Sequence, residues 1–422
     1  MHISFPYGKE VIDVEIEGNV YLVESRLPLM KNVNEESVLA ALKKPIKMPP
    51  LREIIKKNDI VSILITDKTR ATPNKVLIKY VLKALKESNV NKENIQIIIA
   101  NGLHEPETHE EIVELVGKDI VEEYNIMNHI ADDEESLVYL GKTSYGTELY
   151  INKAVVNSSK IIALGLIEPH FFAGYSGGRK LILPGVAGTK SVYQNHSFKM
   201  LSHPKADYGY LEGNPVHEDM IEAAKKVKLT YIVNVILDKK KNIIKAYAGD
   251  PFKAHELGVK ELDSMVKVSV PFESDLTIVT NGGYPLDRNL YQAVKGMVTA
   301  SRITRKDGVI IMLAECIDGI GHKAFYELST ISDDPRRILE YIKDHEPLRD
   351  QWEVQKLAQV LLKNKVIVVT RNISHDKLEN MNLIPASNAD EALELAKEYL
   401  SKDTRIIAIP EGPYVIPCLD YA

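Results

Sequence analysis

The chain has 422 residues, of which 45% are hydrophobic and 27% are charged, and its formal net charge is −6. At about 150 residues per domain, this length predicts two or three domains with a full hydrophobic core. The composition excludes a disordered chain, and the slight acidity argues against general nucleic-acid binding, which requires a basic surface. Cys316 and Cys418 are the only cysteines, which excludes a disulfide scaffold and a cysteine-based zinc site and is typical of a reducing cytoplasm.

The first residues contain no basic segment followed by an apolar one, so no signal peptide is expected. No apolar run approaches the roughly 18 residues that a membrane-spanning helix requires. We therefore expect a cytoplasmic protein that has neither a membrane nor a nucleic acid as its partner.

Short apolar runs alternate with amphipathic patterns along the chain, which predicts an α/β fold. Continuous runs of Ile and Val are typical of strands that are buried on both faces of a mainly parallel sheet. The predicted strands are Val61–Thr66, Ile95–Ala100, Ile161–Ile167, Tyr231–Leu237, Leu276–Thr280, Val309–Glu315, Val366–Thr370 and Ile406–Pro410.

Three helix starts carry sequence signals. Thr72 is a candidate N-cap for a helix whose first residue is Pro73. Thr108 and Glu111 have the spacing of a capping box. A third helix is predicted to begin at Asp250 and to end near residue 266.

A short segment, Lys267–Ser274, has the character of a connection between two α/β units. We therefore predict an N-terminal α/β domain over residues 1–266 and a C-terminal α/β domain over residues 267–400. A return of the tail, residues 401–422, to the N-terminal domain is left as an open alternative.

Polar residues that follow the predicted strands are candidates for a functional site, because parallel sheets bind ligands beyond the carboxyl ends of their strands. Basic and imidazole side chains collect in these segments, so we expect a polar site at one edge of the sheet. The segments are Asp67–Arg70, Asn101–His104, Glu168–His170 and Asn281–Tyr284.

Arg70 and the glycine-rich segment Gly174–Lys180 are two features that indicate an anionic ligand. Arg70 precedes a predicted helix whose N-terminal N–H groups favour a phosphate or carboxylate, although a surface arginine paired with Asp67 is the alternative. The glycine-rich segment Gly174–Lys180 does not match a Walker A loop. Its apolar flanks predict a partly buried Lys180, and desolvation favours the neutral, nucleophilic form of a lysine.

Three of the twelve histidines stand out because they follow strands or the glycine-rich segment: His104, His170 and His196. If only one of these histidines were present, a structural role would be the better interpretation. Convergence of all three on one cleft favours a functional role.

A dinucleotide site is the competing interpretation. Gly319–Ala324 matches the pattern G-x-G-x-x-[GA] after a predicted strand, which is one mark of an NAD-dependent dehydrogenase. No clear acidic residue ends a second strand about 20 positions later, as that site would require. A non-catalytic sensor that binds a phosphorylated ligand at Arg70 and the glycine-rich segment is a third interpretation.

The sequence resembles the nickel-dependent lactate racemase family over nearly its whole length, in the family's order and approximate spacing. The segment EPHFFAGYSGGRKLILPGVAG, followed by Asn195 and His196, is the most specific part of the resemblance. The other matching segments are DKTR at 67–70, NGLH at 101–104, YQAVK at 291–295 and AECIDGIGH at 314–322.

This resemblance implies two α/β domains with mainly parallel sheets and an active site in the interdomain cleft. It also implies a nickel pincer nucleotide cofactor, the nickel complex of pyridinium-3-thioamide-5-thiocarboxylic acid mononucleotide. By the same resemblance, Lys180 joins the cofactor covalently through a thioamide and His196 is the one protein ligand of nickel. The expected cofactor-binding positions are Asp67, Lys68, Thr69, Arg70 and Lys180.

By resemblance, His104 and His170 are paired catalytic acid/base residues. The expected substrate-binding positions are Arg70, Tyr291, Gln292 and Lys295. The C2 proton of a 2-hydroxy acid is too weakly acidic for a histidine to remove, whereas hydride removal with loss of the hydroxyl proton yields a planar 2-keto acid. Hydride return to either face then racemises the substrate.

Lactate or a closely related short 2-hydroxy acid is therefore the expected substrate. A different 2-hydroxy acid, such as malate or a sugar acid, is left open because no motif defines the pocket for the side chain. Since nothing in the resemblance indicates that this chain makes the cofactor, separate cofactor-biosynthesis proteins are expected as partners.

Overall fold

The computed structural model of the protein describes residues 1–401 and 403–420. The chain forms two compact units. The central unit comprises Leu27–His196 and Lys205–Ser264, and the terminal unit comprises Met1–Arg26, Ser197–Pro204 and the chain from Met265 on.

Strands and helices alternate through both units. The strands are β1 (His2–Tyr7), β2 (Glu10–Glu15), β3 (Val20–Leu22), β4 (Val61–Thr66), β5 (Ile95–Ala100), β6 (Asn125–Asn128), β7 (Leu137–Lys142), β8 (Glu148–Asn152), β9 (Lys160–Leu166), β10 (Pro169–His170), β11 (Gly174–Tyr175), β12 (Tyr231–Leu237), β13 (Ile243–Gly249), β14 (Lys267–Val270), β15 (Ser274–Thr280), β16 (Thr304–Leu313), β17 (Lys365–Val369), β18 (Ile384–Ala386), β19 (Ile406–Ile409) and β20 (Ile416–Leu419). The helices are α1 (Glu35–Lys43), α2 (Leu51–Ile54), α3 (Asn74–Glu87), α4 (His109–Val116), α5 (Lys118–Glu123), α6 (Lys153–Val156), α7 (Thr189–Asn195), α8 (Phe198–Leu201), α9 (Pro215–Lys226), α10 (Lys253–Val266), α11 (Leu290–Ser301), α12 (Lys323–Ser329), α13 (Pro335–Asp344), α14 (Gln351–Lys363), α15 (His375–Asn380) and α16 (Ala389–Lys397). Within the described ranges, none of these helices combines the length and the apolar composition needed to cross a lipid bilayer.

The central unit is built on a six-stranded sheet with the order β13-β12-β9-β4-β5-β6. Its strands run parallel except for β13, which pairs antiparallel with β12 at one edge. Strands β4, β9 and β12 are buried along nearly their whole length, as their Ile, Val and Leu runs predict. The predicted fold class, α/β with mainly parallel sheets, is confirmed.

The terminal unit has a second six-stranded sheet, in the order β18-β17-β16-β15-β19-β3, and all of its strands are parallel. The β1–β2 hairpin packs against this sheet through Ile3, Phe5, Val14 and Ile16. Both ends of the chain therefore contribute to the same hydrophobic core.

This arrangement differs from the predicted domain boundaries. Met1–Arg26 belongs to the terminal unit rather than to the domain predicted over 1–266. In the part of the tail that the structure describes, β19 lies between β15 and β3 and β20 pairs with β14, so both strands belong to the terminal unit. Through β3 the tail also contacts a segment of residues 1–266, the predicted N-terminal domain. The physical reason is that a strand buried on both faces lies inside a sheet, where the backbone N–H and C=O groups along both of its edges need neighbouring strands as partners.

Two of the three predicted helix starts agree with the structure. Thr108 accepts a hydrogen bond from the backbone N–H of Glu111, and the Glu111 carboxylate accepts one from Thr108 N–H, so the capping box is present. Asp250 accepts hydrogen bonds from Phe252 N–H and Lys253 N–H at the start of the predicted helix, although α10 itself begins at Lys253. The cap predicted at Thr72 is wrong: α3 begins at Asn74 and has no side-chain cap.

Candidate active site

Three polar segments of the central unit follow neighbouring parallel strands. Strand β4 lies between β9 and β5, so the residues after these strands meet at one edge of the sheet. Asp67 and Arg70 follow β4, His104 follows β5 and Glu168 follows β9. The structure brings them into contact, since Asp67 bonds to His104 and Arg70 pairs with Glu168.

Asp67 and His104 form a hydrogen-bonded pair. Nδ1 of His104 lies 2.5 Å from Oδ2 of Asp67, and the Asp67 side chain is buried whereas the His104 side chain is 37% exposed. Burial acts to raise the pKa of Asp67, but the charge and hydrogen bond of His104, together with Arg70 and Thr69, hold it below its usual value. A carboxylate at Nδ1 orients the ring and leaves Nε2 as the outward-facing nitrogen.

The other residues of the Asp67–Arg70 segment have different surroundings. Lys68 is exposed and its Nζ lies 2.5 Å from a Glu111 carboxylate oxygen, whereas the Thr69 hydroxyl donates to Asp67 at 2.7 Å. Arg70 is partly buried, and its Nη1 is 3.4 Å from Oε1 of Glu168. The ion pair of Arg70 is therefore with Glu168 rather than with Asp67, the partner considered from the sequence.

The glycine-rich segment packs directly on the central sheet. Gly177 has a φ of +84°, and a Cβ atom there would lie 2.8 Å from Asn234 Oδ1 and 2.9 Å from Leu166 O. Gly178 donates its N–H to Asn234 Oδ1 at 2.9 Å. Only glycine fits at position 177, because a side chain would meet the backbone of β9 and a buried side chain of β12.

Arg179 points into the central unit and is fully buried. Its two terminal nitrogens donate to four backbone carbonyl oxygens, and Nη1 also lies 3.0 Å from Nε2 of His255. The carbonyls are those of Ala173, Tyr175, Ser176 and Gly177. Burial lowers the pKa of Arg179 to about 9. These contacts show that Arg179 holds this segment together, whereas its place beside Lys180 in the sequence would suggest a charge that is presented to a ligand.

Phe172 has three candidate site residues around its ring. The His170 ring lies edge-on at a centroid distance of 4.5 Å, and the His196 ring lies edge-on at 4.9 Å. Nζ of Lys180 lies 5.6 Å from the centroid of the same ring. The structure therefore gathers His170, His196 and Lys180 about one aromatic side chain.

His170 and His196 are both buried, and Lys180 is partly buried as its apolar flanks predict. Burial lowers the pKa of His196 well below its usual value, and the positive charge of Lys180 acts in the same direction. His196 is therefore a neutral imidazole. His170 Nδ1 lies 3.3 Å from the backbone nitrogen of Ala173, which donates to it.

The predicted substrate-binding residues Tyr291, Gln292 and Lys295 lie on the first turns of α11 in the terminal unit. Asn289 accepts a hydrogen bond from Gln292 N–H at 3.0 Å and caps this helix. Lys295 donates to the Gln292 side-chain oxygen. The Tyr291 hydroxyl accepts a hydrogen bond of 3.0 Å from Nε1 of Trp352.

The Gly319–Ala324 segment, which suggested a dinucleotide site, packs against the start of α11. The carbonyl oxygens of Gly319 and Ile320 accept hydrogen bonds from Leu290 and Tyr291 N–H, each of 3.1 Å. Gly321 allows this close approach, since a Cβ atom there would lie 3.1 Å from Asn289 Cγ and 3.2 Å from Tyr291 Cβ. This is a structural reason for the glycine other than phosphate binding.

Two family models match the chain, the lactate racemase N-terminal domain over residues 7–209 and the lactate racemase C-terminal domain over residues 270–417. The chain is 37% identical over 425 residues to a lactate racemase of Thermoanaerobacterium thermosaccharolyticum and 38% identical over 424 residues to one of Lactiplantibacillus plantarum. Each alignment covers 98% of this chain and 99% of the relative. The chain belongs to the lactate racemase family.

Solved structures agree with this membership. The structure of the lactate racemase apoprotein from T. thermosaccharolyticum matches with a TM-score of 0.94 at 36% identity, covering 99% of this chain and 100% of that one. A protein from Thermotoga maritima matches with a TM-score of 0.69 at 18% identity, covering 95% and 100%, and shows the shared fold alone. Membership in the lactate racemase family identifies the chain as a racemase, an enzyme of the isomerase class.

The side chains of the central unit fit the metal cofactor that the lactate racemase resemblance implies. Among residues 1–401 and 403–420, no group of three or more His, Cys, Asp or Glu side chains is placed to hold a metal ion. His196 offers one neutral imidazole, the form that binds metals, and Lys180 lies near it. A metal whose other donors belong to an organic ligand would need only one such protein ligand.

Sequence reasoning missed two side chains of this candidate site. The sequence indicates Phe172 only as part of an apolar flank, although its position two residues after His170 is a signal for an aromatic neighbour of that histidine. Glu168, the partner of Arg70, was noted only as a residue that follows a strand. Both depend on how the loop after β9 folds back, which composition and spacing do not define.

Replacing Arg179 with methionine is expected to lower the free energy of unfolding by about 2–5 kcal/mol, because buried carbonyl groups lose their charged donor. Urea unfolding followed by circular dichroism measures the change. Arg52→Met is the matched control. The Arg52 side chain is 56% exposed, and its ion pair with Glu87 is a long surface contact of 4.0 Å. Equal stabilities for the two variants would contradict the structural role of Arg179.

Proposed function

We propose that this chain racemises lactate or a closely related short 2-hydroxy acid. The proposal is supported by its full-length similarity to two lactate racemases. The observation that carries it further is the grouping of His170, His196 and Lys180 around Phe172, in the same unit as the Asp67–His104 pair.

His104 and His170 are the proposed acid/base pair. With Nδ1 of His104 bonded to Asp67, its Nε2 can take the hydroxyl proton when one enantiomer reacts and can donate a proton when that enantiomer is formed. His170 performs the same task for the other enantiomer. Two imidazoles in different positions are needed for a geometric reason. If C2 stays in the same place, the hydroxyl groups of the two enantiomers point in different directions, so one imidazole cannot reach both.

Lys180 and His196 are the residues that would hold a nickel pincer nucleotide, Lys180 as the covalent attachment and His196 as the metal ligand. Asp67, Lys68, Thr69 and Arg70 are the further proposed cofactor contacts. When bound, such a group supplies reversible hydride acceptance from C2, so that the substrate passes through a 2-keto acid. The buried surroundings of His170 and His196 exclude water from this chemistry.

The substrate carboxylate requires a cation. Arg70 is the proposed partner in the central unit, because its guanidinium group is only partly buried and has N–H donors besides the one directed at Glu168. On the terminal unit, Lys295, Gln292 and Tyr291 are proposed substrate-binding residues. The amide oxygen of Gln292 holds the Lys295 ammonium group in a defined position on α11.

A racemisation assay on protein produced together with the cofactor-biosynthesis proteins tests the proposal. Single enantiomers of lactate, malate and a sugar acid are incubated, and the opposite enantiomer is measured by chiral chromatography. We expect conversion of lactate or of one close relative. Inactivity on every acid would remove the proposal, and NAD-dependent oxidation that survives Lys180→Ala would favour the dehydrogenase alternative.

His196→Ala is expected to lose nickel while retaining the mass increase at Lys180, because the two residues have different proposed roles. Nickel content after gel filtration and intact mass are the two measurements. His109→Ala, at an exposed histidine of the same unit, is the control and should retain nickel. Full nickel retention in His196→Ala would refute its role as the metal ligand.

A further inference from the structure

A second aspartate–histidine pair lies in the terminal unit, outside the residues used so far. Nδ1 of His322 is 3.0 Å from Oδ2 of Asp350, and the side chains are 43% and 3% exposed. His322 follows the Gly319 turn and precedes α12, whereas Asp350 directly precedes α14. A buried carboxylate therefore fixes the orientation of an imidazole that is otherwise accessible.

The imidazole of His322 packs on Tyr291. The two ring centroids are 4.6 Å apart with an interplanar angle of 38°. Phe325 contacts the same tyrosine edge-on, with a centroid distance of 5.4 Å. Tyr291 is thus held by ring contacts from two residues of one segment.

A side chain of α14 forms a hydrogen bond with the hydroxyl group of Tyr291. Nε1 of Trp352 donates to it at 3.0 Å, and Trp352 is only two residues after Asp350 in the sequence. The start of α14 therefore supplies both the group that orients His322 and the group that bonds the tyrosine hydroxyl.

The backbone fixes this arrangement further. Tyr291 N–H donates to Ile320 O at 3.1 Å. A Cβ atom on Gly321, whose φ is +100°, would lie 3.2 Å from Tyr291 Cβ. The turn that carries His322 consequently lies against Tyr291, and a side chain at Gly321 would be crowded as well as strained by the positive φ.

We propose that His322, held by Asp350, is a positioning residue that fixes Tyr291 for binding of the 2-hydroxy acid. The inference rests on the proposed function, in which Tyr291 contacts the substrate. A tyrosine fixed in one rotamer binds its ligand without the entropy cost of ordering a mobile ring. His322 itself contributes through ring packing rather than through contact with the substrate.

His345 shows what a histidine without this role looks like in the same unit. It stacks on Tyr341 with centroids 3.9 Å apart, and its Nδ1 bonds only to the backbone oxygen of that tyrosine, at 2.8 Å. Tyr341 and His345 are both exposed. His345→Ala is therefore a matched control.

Tryptophan fluorescence tests the inference directly, because Trp352 is the only tryptophan of the chain. Tyr291→Phe removes the hydroxyl bonded to Trp352 and defines the emission of the broken contact. We expect His322→Ala to shift the emission in the same direction, His322→Phe to restore most of the original spectrum, and His345→Ala to leave it unchanged. The phenylalanine variant also shows that the fold tolerates substitution at position 322.

Steady-state kinetics on cofactor-loaded protein completes the test. We expect His322→Ala to raise KM about tenfold with a smaller change in kcat, as loss of ordered binding requires. Unchanged emission, or changed emission with unchanged KM, would overturn the inference while wild-type racemisation stands. If the wild type racemises no 2-hydroxy acid, the proposed function fails separately, whereas the fluorescence comparison still decides whether His322 fixes Tyr291.

Discussion

Alanine in place of His104 or of His170 is expected to reduce racemisation by about 10²-fold or more in both directions, because each direction needs one imidazole to take the hydroxyl proton and the other to return one. Initial rates from each pure enantiomer measure the effect. Cofactor loading, followed by intact mass, should remain at the wild-type level, which separates a catalytic loss from a failure to bind the cofactor.

Two further variants sharpen this experiment. Asp67→Asn preserves the size of the side chain but places an amide against Nδ1 of His104, which favours the tautomer with hydrogen on Nε2 and should give a loss similar to His104→Ala. His109→Ala, on the exposed start of α4, should retain full activity. If His170→Ala left both directions intact, the proposal of two bases would be wrong.

Replacing Lys180 with alanine is expected to abolish both the mass increase of covalent cofactor attachment and the racemase activity. Lys180→Arg should do the same, because arginine keeps a cation near Phe172 but has no amine that can form the thioamide. Intact-mass spectrometry of protein made with the biosynthetic proteins measures attachment independently of activity.

Lys190→Ala is the matched control for this substitution. Nζ of Lys190 lies 5.9 Å from the ring centroid of Tyr150, an arrangement similar to that of Lys180 and Phe172, but its side chain is 57% exposed. The Lys190→Ala variant should show the same mass increase from cofactor attachment as the wild type. A retained mass increase in Lys180→Ala would place the attachment elsewhere.

The inner strands of both sheets were predictable from the sequence because burial on both faces requires uninterrupted Ile and Val runs. Strands β4, β5 and β12 begin and end at the predicted residues. The β1–β2 hairpin was missed, since its alternating polar residues give a weaker signal. The pairing of β19 with β3 was also missed, because contacts between the two ends of a chain leave no local trace in a sequence.

The candidate site was predictable to the level of strand ends. A parallel sheet places Asp67, His104 and His170 at one edge, because each follows a strand. The hydrogen-bond partner of each residue cannot be predicted in the same way, because it depends on the course of the loop that carries the residue. Burial of Arg179 illustrates the difficulty: an arginine beside a reactive lysine suggests a ligand contact, yet its donors are used by backbone carbonyl groups of its own loop.

The position of β19 has a consequence for biosynthesis on the ribosome. Chain segments that form the central unit have all been synthesised by Ser264, whereas β3, at Val20–Leu22, pairs with a strand that begins only at Ile406. The nascent polypeptide therefore carries an unpaired N-terminal strand through most of translation. Its sheet closes only after Ile406–Ile409 have emerged from the exit tunnel, so the central unit can fold before the terminal unit is complete.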